Sequence, residues 1–473
     1  MPNLRIVSDN ALERAATFTA SSRAGTLVEA NMLNWKKSSF WRATSTNERI
    51  TALFATPEPI QFVGAAFCNW SPTAQMRVRV SQEASATNLL RHSEAFDNAV
   101  WTKTNCTVST TAAAAAGIVA PDGSSTVDKM LETATASVAH SWEETFTAVA
   151  GASYAASILV RSAERRRVRI EFLSPQFAAN ERAVFDATSG TIPSNTGGSP
   201  IIIDLTDVVP GMYRCAILGA CTTAGTATVR FTIMPDSGTS TTYTGATTSG
   251  IYAWGAMVTK DGLSSYYPSG STAGVRPAGY IDAWQSYDYD SGLVPACPWP
   301  APKLRGFAPV QAASAYAYGG GTYARHWLPA EIQARGIAVD IADPDNVQGY
   351  LEVACLVAAP YWSPKYNASA AGLTPLDGTD FTVTGGGDTY GTPGFVSKEL
   401  AVDLSYMEPE DGLTVMDMAL NSAAYPLFLS LCPNDSNPAR ERKFMALAHR
   451  SKSSAISMKY AAGYTTSITF KEV

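Results

Sequence analysis

The chain has 473 residues, of which 46% are hydrophobic and only 16% charged, with a formal net charge of -6 at pH 7. The length allows two to four domains, and the low charge fraction suits surfaces that are covered by other subunits. Beyond Arg165, Arg166 and Arg167 there is no basic run, and no apolar run approaches the ~20 residues of a membrane helix, which argues against nucleic-acid binding and membrane insertion.

In chain order, Asp9 to Thr17 is expected as a short helix. Arg77–Val80 then alternates polar and apolar residues, the period of a strand with one wet face and one core face. A zone rich in Thr, Ser and Ala follows from about 86 to 275. It holds two more alternating stretches, Val168–Phe172 and Thr228–Ile233, and Arg165 to Arg167 lead into the first as a solvated strand face. Aromatic and proline-rich sequence returns with Tyr280, Trp284, Tyr287, Tyr289, Trp299 and Trp327, and Asp290–Ser291–Gly292 makes a good hairpin end. Gly319–Gly321 and Gly385–Gly387 read as flexible loops. Leu413 to Ala423 is a second short helix, and Ser467–Lys471 a last strand. The chain is therefore expected to be all-β. Its outer β-sandwich is discontinuous, residues 1–85 and 280–365, around an insert at 86–279, and a β-rich assembly domain follows at 366–473. Loop tips tolerate such insertions because the ends of a compact domain can lie close together.

Four motifs stand in order in the insert: Asn88–Trp101 (NLLRHSEAFDNAVW), Pro121–Lys129 (PDGSSTVDK), Tyr252–Val258 (YAWGAMV) and Ser264–Pro268 (SSYYP). This order resembles jelly-roll modules common in phage tail, fibre and head-decoration proteins, which are similar to carbohydrate-binding domains. The resemblance covers roughly residues 86 to 275. Glu48–Leu53, Phe67–Ser71, Arg77–Val80, Gly349–Val353 and Ala359–Pro364 are similar to a discoidin-like, galactose-binding-like sandwich of phage tail proteins. The resemblance implies a structural protein of a tail tip or baseplate. It would be a symmetric homo-oligomer among other tail proteins, with host-surface glycan as a partner of the insert. A dedicated glycan-recognising fibre or spike is the alternative. The expected location is the virion, after a period in the host cytoplasm. Met1–Arg5 has no signal-peptide core to contradict that.

The residues offer no catalytic constellation, cofactor or metal site to set against this. His92, His140, His326 and His449 are far apart, and nucleophile-elbow, zincin and P-loop motifs are missing. Cys68, Cys106, Cys215, Cys221, Cys297, Cys355 and Cys432 form no CxxC pair and read as small buried hydrophobes; only Cys215 and Cys221 could face each other across a hairpin. Glu143 and Glu144 are adjacent and, on a strand, point to opposite faces, so they are poor candidates for the acid/base pair that flanks a sugar. Asp288 and Asp290 fall in a turn, and Asp343–Asn346 reads as an Asx turn rather than a calcium loop. Sugar binding needs only an exposed aromatic and a few polar groups. Trp101 and Trp254 are expected in the core, whereas Trp142 and Tyr243, in polar surroundings, are the candidate platforms.

Overall fold

The computed structural model describes residues 3–177, 181–282, 284–285, 287–298, 322–378, 380–392, 396–420, 425–450, 455–460 and 463–473. The chain divides into two compact units, Glu83–Ser286 and the flanking segments Met1–Gln82 and Tyr287–Val473 taken together. The sequence places the boundaries of the insert at 86 and 279. Gly319–Gly321 and Trp299 lie outside the described residues.

The flanking unit is built on two antiparallel sheets. In the first, Gln75–Ser81, Thr322–Ala342, Asn47–Cys68 and Glu352–Ala359 are neighbours in that order. Thr322–Ala342 runs along Asn47–Cys68 from Thr322 opposite Cys68 to Ala342 opposite Asn47, and its second half also pairs with Gln75–Ser81. The alternation read at Arg77–Val80 is carried out there. Met76, Val78 and Val80 join Ile50, Ala52, Ile337 and Val339 in one core, under Leu12, Met32 and Trp41. Arg77 and Arg79 face the other way, paired with Asp290 and Asp340. The chain leaves and re-enters this unit at adjacent points, because Val80 pairs with Tyr289 and the Gln82 N–H donates to Asp288 at 2.6 Å.

The second sheet has the order Arg5–Val7, Leu427–Ser430, Met445–Arg450, Gly463–Glu472, Val396–Met407, Ala370–Asp377. The expected separate domain at 366–473 is thus corrected. Its sheet takes an edge strand from the N-terminus, with Arg5 opposite Ser430, and Phe428, Met445 and Leu447 share a core with Val7, Phe62, Tyr323 and Val357. The first expected helix shrinks to a 3-10 turn, Ala11–Arg14. Buried Asn10 caps it through the Leu12 N–H and also binds the Leu356 carbonyl and the Ala358 N–H, so the segment is tied to a strand and cannot extend. The second helix spans Pro409–Leu420; expected positions 421–423 lie outside the described residues.

The inserted unit has two six-stranded antiparallel sheets. One runs Thr191–Thr196, Arg182–Asp186, Arg167–Phe172, Gly225–Met234, His140–Ala148, Thr102–Thr104. The other runs Ser199–Asp204, Met212–Ala220, Ser153–Ser162, Gly250–Lys260, Asp128–Glu132, Cys106–Ser109. Alternate residues of both fill one core, among them Trp101, Trp142, Ile158, Ile170, Ile217 and Phe231. The outer side of the second sheet has a smaller core of its own, with Trp254, Tyr266 and Trp284 in mutual contact. The two ends of the insert also pair, Ala86–Asn88 with Gly274–Arg276.

Each unit closes its own core and brings its own ends together. Residues 83–286 are therefore expected to fold alone, and the flanking unit to fold with Gln82 and Tyr287 joined by a short Gly/Ser linker. Cooperative thermal melts of both products, with β-type circular dichroism, check this; an unfolded product contradicts it.

Candidate functional site

Of the two expected sugar platforms, Trp142 is buried and Tyr243 is half-buried. Trp142 lies in the middle of the strand His140–Ala148, 0% exposed, with its ring 5.6 Å from that of Phe231 and 6.2 Å from that of Phe96. The polar look of Ser141–Glu144 misleads because Glu144 is itself buried beside Trp142, held by the backbone N–H and Nε of Arg91 at 3.0 Å. Tyr243 is half-buried and pinned. Its hydroxyl donates to Glu132 at 2.6 Å, the Arg165 guanidinium lies 5.3 Å from its ring centre, and the His140 ring 4.8 Å. Glu132 also takes Arg165 Nε at 2.6 Å and the Ala246 N–H at 2.9 Å, so Tyr243 is one corner of a buried ion-pair network. Every aromatic side chain of the insert is buried or half-buried.

The flanking unit differs. Among the described residues its exposed aromatics are Tyr366, Phe381, Tyr390, Tyr406 and Tyr425, all in or beside the second sheet. Three of the most exposed apolar side chains belong to one element. The edge strand Ala370–Asp377 pairs with Val396–Asp403, and beyond it Asp380–Val383 pairs with Thr389–Thr392 in the same antiparallel sense. Together they form an arm. Its tip is a built turn rather than a flexible loop: the Thr384 N–H donates to the Asp388 carbonyl at 2.8 Å, and Gly387 takes a φ of 86° that favours glycine. Phe381 and Val383 share one face, opposite Gly391 and Thr389, and are 71% and 64% exposed; Tyr390, on the other face, is 62% exposed. A two-stranded hairpin alone is marginally stable in water.

No family model matches the sequence, and no curated protein matches it.

The charged groups that the sequence singles out are held by fixed partners. Glu143 points outward and takes Arg230, in a cross-strand row Glu143, Arg230, Glu171, Arg182. Arg165 pairs with Glu132, and Arg166 and Arg167 with Asp186, so these three arginines are tied down rather than a solvated face. Asp290 takes Arg77 Nε at 2.8 Å and the Gly292 N–H at 2.9 Å. Asp343 is buried and receives the Ser71 N–H at 2.8 Å, while Asn346 turns back to hold the Gln348 N–H at 3.0 Å. His140 Nδ1 lies 2.7 Å from the Asn105 carbonyl, and His326 Nε2 2.6 Å from the Tyr289 hydroxyl. Cys215 and Cys221 are both buried and unbonded. Among the described residues no three His, Cys, Asp or Glu side chains gather as a metal would require.

Two predictions follow from the insert's interior. Trp142→Ala should cost about 3–5 kcal/mol of stability, the cost of emptying a large core site. Tyr243→Phe, which deprives buried Glu132 of a donor, should cost about 1–2 kcal/mol. Denaturant unfolding of the full chain measures both, and an unchanged midpoint for Trp142→Ala would return that residue to the surface.

Burial pushes the Glu144 carboxyl up to about 7 despite Arg91, and burial pushes Asp128 up to about 6 despite the Phe96 N–H. Their ordinary values are 4.5 and 3.8, so folding favours the protonated form of both. Their contribution is complete at acidic pH and is lost as pH rises through 6 to 7. Glu132 and Asp186 shift the other way: burial raises them, but Arg165 and Tyr243 for Glu132, and backbone N–H groups and Arg167 for Asp186, outweigh it. They are ionised in both folded and unfolded chain above about pH 5 and add no slope there. The insert should therefore lose on the order of 2 kcal/mol between pH 5 and 8. Glu144→Gln should flatten most of that loss in melts of the insert's transition.

Proposed function

We propose that this chain is a non-enzymatic structural subunit of a tailed-phage tail tip or baseplate, present in symmetric copies and joined to other tail proteins. The observation that carries the reading is the gathering of exposed aromatic surface on the second sheet of the flanking unit, above all the uncovered arm with Phe381, Val383 and Tyr390. A protein that worked alone in water would gain nothing from such a surface, whereas an assembly subunit buries it. The phage setting comes from the resemblance of the insert's four motifs, and it places the protein in the virion after a period in the host cytoplasm. The finer fold belongs to the same reading. The chain crosses repeatedly between the two sheets of the insert, as a jelly roll does, and the flanking unit's first sheet is read as the galactose-binding-like part. The non-enzymatic part is supported by the carboxylates. Glu144 points inward to Arg91, and Glu143, Asp290 and Asp343 are each held by a fixed partner.

Glycan recognition by the insert is the second reading, and it is the weaker one. With Trp142 buried and Tyr243 pinned, a sugar would have to be held by hydrogen bonds alone, for instance along the outward row Glu143, Arg230, Glu171, Arg182. Stacking on an aromatic face, the usual source of sugar affinity, has no exposed ring to use there.

Antibody raised against the full chain, applied to purified phage particles and viewed by negative stain, should label one end of the tail. Particles that carry none of the chain would overturn the reading. Release of reducing ends from host polysaccharide, lost on substituting a carboxylate, would overturn its non-enzymatic part.

A further inference from the structure

The second sheet of the flanking unit carries an open apolar groove as well as the arm. The groove lies between the helix Pro409–Leu420 and the sheet, lined by Ile6, Val415, Met418, Leu427, Ile468 and Phe470, with Tyr425 exposed at its side. Arg450 is its one charged lining residue, and that guanidinium donates to the Ala419 carbonyl at 2.7 Å.

We propose that the arm of one copy of this chain docks, by its Phe381 and Val383 face, into this groove of the next copy. The inference rests on the assembly reading above and names the partner. Three observations select a second copy as the occupant. The arm offers two neighbouring apolar side chains on one face, and the groove is apolar and open. Charge agrees: from Tyr366 to Ser397 the sequence holds Asp377, Asp380 and Asp388 and neither Lys nor Arg, while the groove's charged residue is a cation. Placement agrees too. The arm grows from the edge strand Ala370–Asp377, whereas the groove lies on the sheet between the opposite edge strand, Arg5–Val7, and Gly463–Glu472. Donor and acceptor are thus different parts of one chain, as a head-to-tail contact requires.

The test uses the full chain. Sedimentation of the wild type should show an oligomer, and Phe381→Asp with Val383→Asp should lower its mass to that of the monomer without changing the circular dichroism spectrum, because both side chains are exposed in the single chain. In a Cys432→Ser background, a copy with Phe381→Cys is then mixed with a copy with Met418→Cys and oxidised. The mixture should give a covalent dimer on a denaturing gel, and neither copy alone should. A covalent dimer from the Phe381→Cys copy alone would mean an arm-to-arm contact and overturn the proposal. An oligomer that survives the double Asp change and yields no crossed dimer would overturn it while leaving the assembly reading standing. A wild type that stays monomeric at its solubility limit would also overturn it, whereas failure of the assembly reading itself is read separately, from particles that lack the chain.

Discussion

The flanking unit depends on one strand, Thr322–Ala342. It lies between Gln75–Ser81 and Asn47–Cys68, which both precede the insert, and hydrogen-bonds to each. Without it the two earlier strands have no neighbour in common, and the core around Ile50, Val78, Ile337 and Val339 cannot close. The constraint explains the tight pairing of the exit and entry points, Val80 with Tyr289 and Gln82 with Asp288, which keeps both halves of the sheet in register whatever hangs between them. It also lets the second sheet recruit the N-terminal Arg5–Val7, since the first residues of the chain are already committed to this unit.

The insert solves a different problem. Its interior contains carboxylates, and three of them have fixed partners. Glu144 takes Arg91, Glu132 takes Arg165 and Tyr243, and Asp128 takes the Phe96 N–H. Buried ion pairs stabilise little over apolar packing, but breaking one leaves an uncompensated charge, so they fix which strands and loops meet. Glu132 joins the strand Asp128–Glu132 to the loop of Tyr243 in this way, and Glu144 joins a core strand to the Arg91 segment that opens the insert. Tyr243, which the sequence offers as a sugar platform, is spent on architecture.

Much of the fold was legible because alternation is local. Arg77–Val80, Val168–Phe172 and Thr228–Ile233 each sit inside a strand of the expected kind. What escaped was whatever depends on distant partners. Nothing near Tyr243 announces Glu132, 111 positions away. Nothing in Arg5–Val7 announces Ser430, so residues 366–473 read as a separate domain. Trp142 carries a usable signal: Trp142, Glu144, Phe146 and Ala148 fall at period two and are all buried, and the charge of Glu144 hides the pattern. The arm was also partly readable, since Phe381 and Val383 alternate with polar residues up to the glycines. Three glycines in a row suggested slack where the backbone makes a turn.

The place of the insert sets an order of events during synthesis. Asn47–Cys68 and Gln75–Ser81 leave the ribosome long before Thr322–Ala342 exists, about 240 residues earlier, which at 5–20 residues per second is a wait of roughly 10–50 s. The insert, whose strands are all contiguous in the chain, can finish folding within that interval. The earlier segments cannot: Asn47–Cys68 already has Thr17–Ala20 to pair with, but its partners Thr322–Ala342 and Glu352–Ala359 do not yet exist. Nascent chains of this protein therefore pass through a stage in which a finished module follows a half-paired leader, and a holding chaperone or the ribosome surface has most to do at that stage.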